Sequence, residues 1–349
     1  MTILSKMKKI FPLLILIFCV EYSPAIGQDA AFSQFYENPL LRNPALAGIF
    51  DGDFRVSGIF RNQWQSITTP FRTAGLGIET KFAIGNAYDF FTVGVQLTED
   101  AAGDINLKRT QILPVINFHK SLSEAYDSYL SLAFMGGAVN SQFDATKLHL
   151  DDQFVNGSFN ANNPSQQVFN NTGKTYWDLG TGLVYSAAWG NNNSCYIGAS
   201  LFHFNNPKIA FFTNNELSTT LHRKFTINTG ITLPTSDVNK LMFHADYFRQ
   251  SAHQQFIAGG IYAIEVSPGY YSNYKTVLSF GGFYRWKDAL IPVIKLEYNH
   301  FVVGMSYDAT LSQLSTSAKI RGGLELTSSY RTNLNILNQE AKKVRCVRL

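Results

Sequence analysis

The sequence predicts an all-β protein, a transmembrane antiparallel β-barrel of about 14 strands with a short N-terminal periplasmic segment. Three observations lead there. Only 15% of the 349 residues are charged, while 45% are hydrophobic and 14% aromatic, whereas about a quarter of an average soluble domain is charged. From Asp53 onward apolar and polar residues alternate at period two, the pattern of strands with one apolar face. An export signal opens the chain. The mean hydropathy of -0.06 is too polar for a bundle of membrane helices, and 28 Phe with 17 Tyr exclude disorder.

The first element is the export signal, residues 1–27. Lys6, Lys8 and Lys9 precede the apolar run from Ile10 to Val20, and Ala25-Ile26-Gly27 offers a small-x-small cleavage site. The run is too short to cross about 30 Å of hydrocarbon as a helix. Cys19 lies inside the run behind Phe18 rather than behind a small residue, so no lipid anchor is expected. Cleavage removes three lysines and Glu21, and the formal charge of +4 falls closer to neutral. Such a balance gives no electrostatic reason to bind nucleic acid.

Residues 28–51 follow as a periplasmic or plug-like segment, expected to begin on the periplasmic side. Pro39 and Pro44 push their neighbours towards extended backbone, so no helix is expected there. The segment is expected to fold into the barrel mouth or against a periplasmic partner. Its candidate partner-binding residues are Phe32, Ser33, Gln34, Asn38, Pro39, Asn43, Pro44 and Gly48.

Residues 52–330 form the barrel. Phe54, Val56, Gly58 and Phe60 oppose Arg55, Ser57 and Arg61; Ile320, Leu324, Leu326 and Tyr330 oppose Lys319, Arg321, Glu325 and Thr327. The same reading places strands near 53–64, 71–82, 88–98, 105–119, 127–141, 176–188, 194–204, 223–233, 240–249, 254–264, 274–286, 289–297, 300–308 and 317–330. Many exceed the usual globular strand and approach the 9–11 residues that a tilted strand needs to cross a bilayer. The two longest connections, near 142–175 and 205–222, follow strands five and seven and so fall on one side, the exterior. The short links at Gly190-Asn191-Asn192-Asn193 and Pro234-Thr235-Ser236-Asp237 follow even strands and fall on the periplasmic side. Trp64, Tyr88, Trp177, Trp189, Trp286 and Tyr330 near strand ends suit interfacial girdles. Arg55, Arg61, Glu79, Lys81, Arg321 and Glu325 would be costly against lipid, and parity turns them into the lumen, where they keep the interior wet and paired or hold a plug or cargo element. Residues 331–349 are a basic periplasmic tail with Lys342, Lys343, Arg345 and Arg348.

Enzyme motifs are missing. Gly173-Lys174-Thr175 resembles the end of a phosphate-binding loop, but Val168 stands where the loop needs its first Gly. There is no His-Glu-x-x-His run, no Gly-x-Ser-x-Gly elbow and no clustered Cys/His spacing, so no catalytic, cofactor or metal residue is assigned. The histidines are dispersed, with His149 beside Asp151 and Asp152 on a polar loop and His203 and His244 as polar wall residues. The mature chain keeps Cys195 and Cys346, too few for a disulfide framework.

Several stretches together resemble a known family. Gln28-Asp29-Ala30-Ala31-Phe32-Ser33-Gln34 followed by Asn43-Pro44-Ala45-Leu46-Ala47-Gly48 is similar to the opening of the PorP/SprF family of Bacteroidetes outer-membrane proteins, with Ala30 where Pro and Leu46 where Tyr is common. Further matches are Trp177-Asp178-Leu179-Gly180, Gly281-Gly282-Phe283-Tyr284-Arg285-Trp286-Lys287-Asp288-Ala289 through Pro292, and Tyr307-Asp308 with Ser312. The tail, with Cys346, is similar as well, with Val347 where Pro is frequent. The resemblance implies that Tyr284, Arg285, Asp288, Pro292, Tyr307, Asp308 and Ser312 are family-motif barrel residues.

What the resemblance implies is a non-enzymatic component of the type IX secretion system, without cofactor, that supports export or surface attachment of a cargo or adhesin, and gliding motility. The implied partners are outer-membrane lipid and either periplasmic ring proteins with a peptidoglycan-binding lipoprotein or the C-terminal domain of a secreted adhesin. The residues alone leave open a porin or hydrophobic-solute transporter, and an outer-membrane hydrolase with an acid/base cluster at the rim. The polar loop from Phe143 to Thr175 is the candidate external cargo contact.

Overall fold

The computed structural model describes residues 29–63, 69–84, 88–123, 127–155, 157–160, 163, 171–190, 193–211, 220–266, 275–311 and 322–334. The alternating segments form fourteen strands, β1 (Phe54–Gln63), β2 (Phe71–Ala83), β3 (Phe90–Ala102), β4 (Leu107–Ser123), β5 (Ser128–Gln142), β6 (Gly173–Trp189), β7 (Asn193–Phe202), β8 (Lys224–Pro234), β9 (Lys240–Gln250), β10 (His253–Glu265), β11 (Thr276–Arg285), β12 (Ala289–Tyr298), β13 (Phe301–Tyr307) and β14 (Gly323–Thr332). Each strand pairs antiparallel with its neighbours in sequence, and β1 pairs with β14 from Phe54↔Thr332 to Gln63↔Gly323. The sheet is therefore closed, which leaves no free edge. Every expected strand overlaps an observed one. The last was expected from 317, but it begins at Gly323, and positions 317–321 with Arg321 lie outside the described residues.

Period two decides what faces where. Ile116, Phe134 and Ile197 point outward and are 55%, 56% and 57% exposed, whereas the inward Glu79, Gln96, Asn117 and Glu325 are almost completely buried. This inverts the rule for a soluble protein and fits a lipid-covered wall around a polar lumen. Trp177, Trp189 and Trp286 lie exposed near strand ends. Tyr88 and Tyr330 are half-buried, and Trp64 lies outside the described residues. No helix among the described residues is long and apolar enough to cross a membrane.

The connection from β5 to β6 and that from β7 to β8 open at the same mouth, here called the loop mouth. Within the first, short turns at Ala145–Lys147 and Asp151–Gln153 precede a small hairpin of Phe154–Val155 with Ser158–Phe159. The opposite mouth holds the start of β1 and the end of β14, together with the β6–β7 and β8–β9 links. It is called the terminal mouth below.

Residues 29–50 lie inside the barrel as a plug, and Asp29 sits at the loop mouth rather than at the terminal mouth where the segment was expected to begin, because its ionic partners Arg109, His203 and Lys224 stand at that end of the wall. A 3-10 turn at Phe35–Glu37, one helical turn α1 at Pro39–Arg42 and a 3-10 turn at Pro44–Leu46 succeed each other. The sequence argued against a helix here. Pro39 and Pro44 instead begin these turns, where proline's preset φ fits and its missing N–H costs nothing. The effect on the preceding residue does hold at Asn43, which is extended at φ -163°, ψ 121°. The hydrophobic core lies in the lumen as well. Leu40, Ala45, Leu46, Ala47 and Ile49 pack on Leu113, Val115, Met135 and Val184, and Phe35 packs on Ile257, Ile261, Phe283 and Ile291.

Candidate functional site in the barrel lumen

Where plug and wall meet, contacts follow the plug from the loop mouth to the terminal mouth. At the loop mouth the Asp29 carboxylate lies 2.9 Å from Arg109 Nη1, 2.7 Å from His203 Nε2 and 3.6 Å from Lys224 Nζ. Its main-chain amide donates to Gln250 Oε1 at 3.3 Å. The other ring nitrogen of His203 faces Asp178 at 2.7 Å. Burial alone would raise the Asp29 carboxyl, but His203, Lys224 and Arg109 hold it well below the usual carboxylate range. Burial alone would likewise lower His203, but Asp29 and Asp178 override it and raise the imidazole to about 9.

One layer deeper, Glu325 accepts the main-chain amides of Ser33 at 2.6 Å and Gln34 at 2.8 Å. The Ser33 hydroxyl donates to Asp308 at 2.5 Å and accepts from Arg285. Arg61 lies 3.1 Å from Asp308 and 3.3 Å from Glu325, and Arg285 is 3.0 Å from both Asp308 and Asp288. Two guanidinium groups thus face two buried carboxylates across the plug, which compensates their loss of water. Gln34 completes the layer, accepting from Thr327 Oγ1 at 3.0 Å.

At mid-height Tyr36 stacks on Phe283 and His244, with ring centroids 5.0 and 5.2 Å apart, and Glu37 pairs with Lys295. Arg42 forks onto Asp246, with Nε 2.8 and 2.6 Å from the two oxygens, and reaches Tyr196 Oη at 2.5 Å. The Asn43 side chain accepts from Ala45 N and rests on the wall at Gly182 and Gly198, where any Cβ would collide with it. A cavity of about 110 Å³ remains beside the plug, lined among others by Tyr36, Arg55, Lys240 and Arg331.

Towards the terminal mouth Asn117 donates to the carbonyls of Ala45 and Ala47 at 2.9 and 2.8 Å. Glu79, fixed by Arg55 at 2.8 Å, accepts the Gly48 amide at 2.8 Å. Lys81 donates to the Phe50 carbonyl at 2.5 Å. Gly48 has φ +82° and lies against Thr92, so only glycine fits this bend.

The segment residues singled out in the sequence are all buried inside the barrel: Phe32, Ser33, Gln34, Asn38, Pro39, Asn43, Pro44 and Gly48. Of the barrel motif, Arg285 and Asp308 point inward and meet Ser33, and Asp288 holds Arg285 from the adjoining turn. Tyr284, Pro292 and Tyr307 face outward, while Ser312 lies outside the described residues. Arg55, Arg61, Glu79, Lys81 and Glu325 line the lumen, as parity indicated. Sequence reasoning missed Arg42, Asn117, Asp246, Arg109, Lys224 and the joint role of Asp178 with His203. For Asn117, Asp246, Arg109, Lys224 and Asp178 inward parity was the available signal, but parity does not name a partner, and Arg42, in the helical turn of the plug, has no strand parity.

The rim cluster invites a test of hydrolase chemistry. A general base needs a free nitrogen near a nucleophile, and both nitrogens of His203 are taken by carboxylates. No group of three or more His, Cys, Asp or Glu among the described residues could hold a metal ion.

A closed fourteen-strand membrane barrel, plugged by its own amino-terminal segment, is the class of protein these features define. Residues 25–330 match the family of type IX secretion system membrane proteins PorP/SprF, and the chain belongs to that family. Among solved structures, the toluene transporter TbuX of Ralstonia pickettii is 10% identical, with a TM-score of 0.46 over 89% of this chain and 97% of that one. The deltaS2 mutant of the monoaromatic hydrocarbon channel TodX is 9% identical, with a TM-score of 0.45 over 86% and 94%. The translocator domain of autotransporter NalP from Neisseria meningitidis is 10% identical, with a TM-score of 0.39 over 85% and 95%. Likenesses this distant carry no argument about function. No curated protein matches the chain.

Proposed function

We propose that this protein is a non-enzymatic outer-membrane barrel of the type IX secretion system that supports export or surface attachment of a cargo or adhesin, and gliding motility, as a docking and anchoring component rather than a diffusion pore. Family membership supplies the secretion context. The observation that carries the docking reading is the plug, held to the wall from Asp29 to Phe50 by main-chain and ionic contacts. A pore needs an open lumen. Here the wall groups that would bind water or solute bind the plug.

On this reading the chain is exported by the signal peptide 1–27. In a core secretion role the terminal mouth and the basic tail address the periplasmic ring proteins and the peptidoglycan-binding lipoprotein; in an accessory role the loop mouth, with the connection after β5, addresses the adhesin C-terminal domain. Affinity purification from native membranes tests this: ring subunits or a large surface protein should accompany the barrel, and its recovery without any secretion subunit would overturn the reading. Planar-bilayer recording separates it from the porin alternative, since the purified monomer should be silent and a stable open conductance would favour transport.

A further inference from the structure

The course of the plug fixes where its leading end emerges. Its contacts run in one direction, with Asp29 held at the ends of β4, β7, β8 and β9 that form the loop mouth and Phe50 held by Lys81 near the opposite end of β2. Strand β4 serves as a ruler. Arg109 on it binds Asp29 and Asn117 binds Ala45 and Ala47, and eight residues of strand span about 26 Å. The plug thus crosses the barrel lengthwise, and the chain re-enters the wall at β1 only after reaching the terminal mouth.

Long connections open outside and barrel termini lie on the periplasmic side of an even-stranded barrel. We propose that the plug runs from the exterior to the periplasm, so that the amino terminus left by signal cleavage is presented at the cell surface between the long loops. The Asp29 clasp of Arg109, His203 and Lys224 is its outer fastening. The exterior assignment rests on the outer-membrane reading above, while the lengthwise course does not.

Epitope insertion tests both separately. One short epitope is placed between Gln28 and Asp29, a second after Asn160 in the β5–β6 connection and a third after Ser236 in the β8–β9 link, each in the full chain. Antibody binding to intact cells should detect the first two to the same extent and the third only after outer-membrane permeabilisation. An amino-terminal epitope that behaves like the Ser236 epitope overturns the proposal. If the Asn160 and Ser236 epitopes exchange behaviour, the membrane orientation is wrong, and the company kept by the amino-terminal epitope still decides the course of the plug. Should that insertion prevent barrel assembly, Ala30→Cys, at an exposed position beside Asp29, combined with Cys195→Ser and Cys346→Ser replaces it, read by a membrane-impermeant maleimide. Labelling of intact cells supports the proposal, and labelling confined to permeabilised cells, or none in either sample, refutes it.

Discussion

Glu325 accepts two consecutive main-chain amides, of Ser33 and Gln34, while Arg61 balances its charge. A buried carboxylate is tolerable only with such partners, and the partners depend on it equally. Glu325→Ala should cost about 3–5 kcal/mol, because it leaves Arg61 buried with fewer compensating charges and two amides unpaired. Denaturant titration of the purified barrel in detergent reads this directly, and an unchanged midpoint would contradict it. Asp29 and His203 make the loop-mouth clasp pH-dependent. His203 titrates near 6.5 in an unfolded chain and about 9 here, so its contribution is complete below the first value and lost as pH rises through the second. Asp29 is lowered from 3.8, so its contribution is complete above that value and lost as pH falls through the lowered one. The melting temperature should therefore drop between pH 7 and pH 10, and His203→Gln should flatten that drop. These roles were not legible in the sequence. Inward parity identified Glu325, but contact between Ser33 and Asp308, 275 positions apart, depends on the closed wall.

At the scale of elements the plug divides its work between two materials. Its apolar side chains complete two cores against separate stretches of wall, β4–β7 around Leu46 and β9–β12 around Phe35, and its main chain is held by polar wall groups such as Asn117 and Lys81. The helical turn α1 is too short to stand alone. It persists because Arg42 is fixed to Asp246 and Leu40 is buried. Deleting residues 29–50 behind an intact signal should turn a silent barrel into a conducting one in planar bilayers, since the lumen charges would then face water. If the deleted barrel stays silent, the plug is not what closes it. The strand elements were legible because alternation is local. The plug's turns were misjudged because proline at the first position of a turn and proline within extended chain look alike until packing selects between them.

At the scale of the whole molecule, closure of β14 onto β1 leaves no exposed sheet edge and turns large apolar side chains such as Phe134 and Ile197 outward. An unheated sample on a denaturing gel should migrate faster than a boiled one, and identical mobility would speak against a closed barrel. The sequence by itself determined the class, the approximate strand positions and the inward face of Arg55, Arg61, Glu79, Lys81 and Glu325. Period-two alternation, low charge and turn spacing are all properties of neighbouring residues. Only the tertiary structure decided that the amino-terminal segment fills the lumen lengthwise and that its Ser33 meets Arg285 and Asp308. The physical reason is that alternation sets inside or outside with one bit per residue, whereas the height and azimuth of a contact across a barrel depend on register and closure, which the whole sheet fixes together.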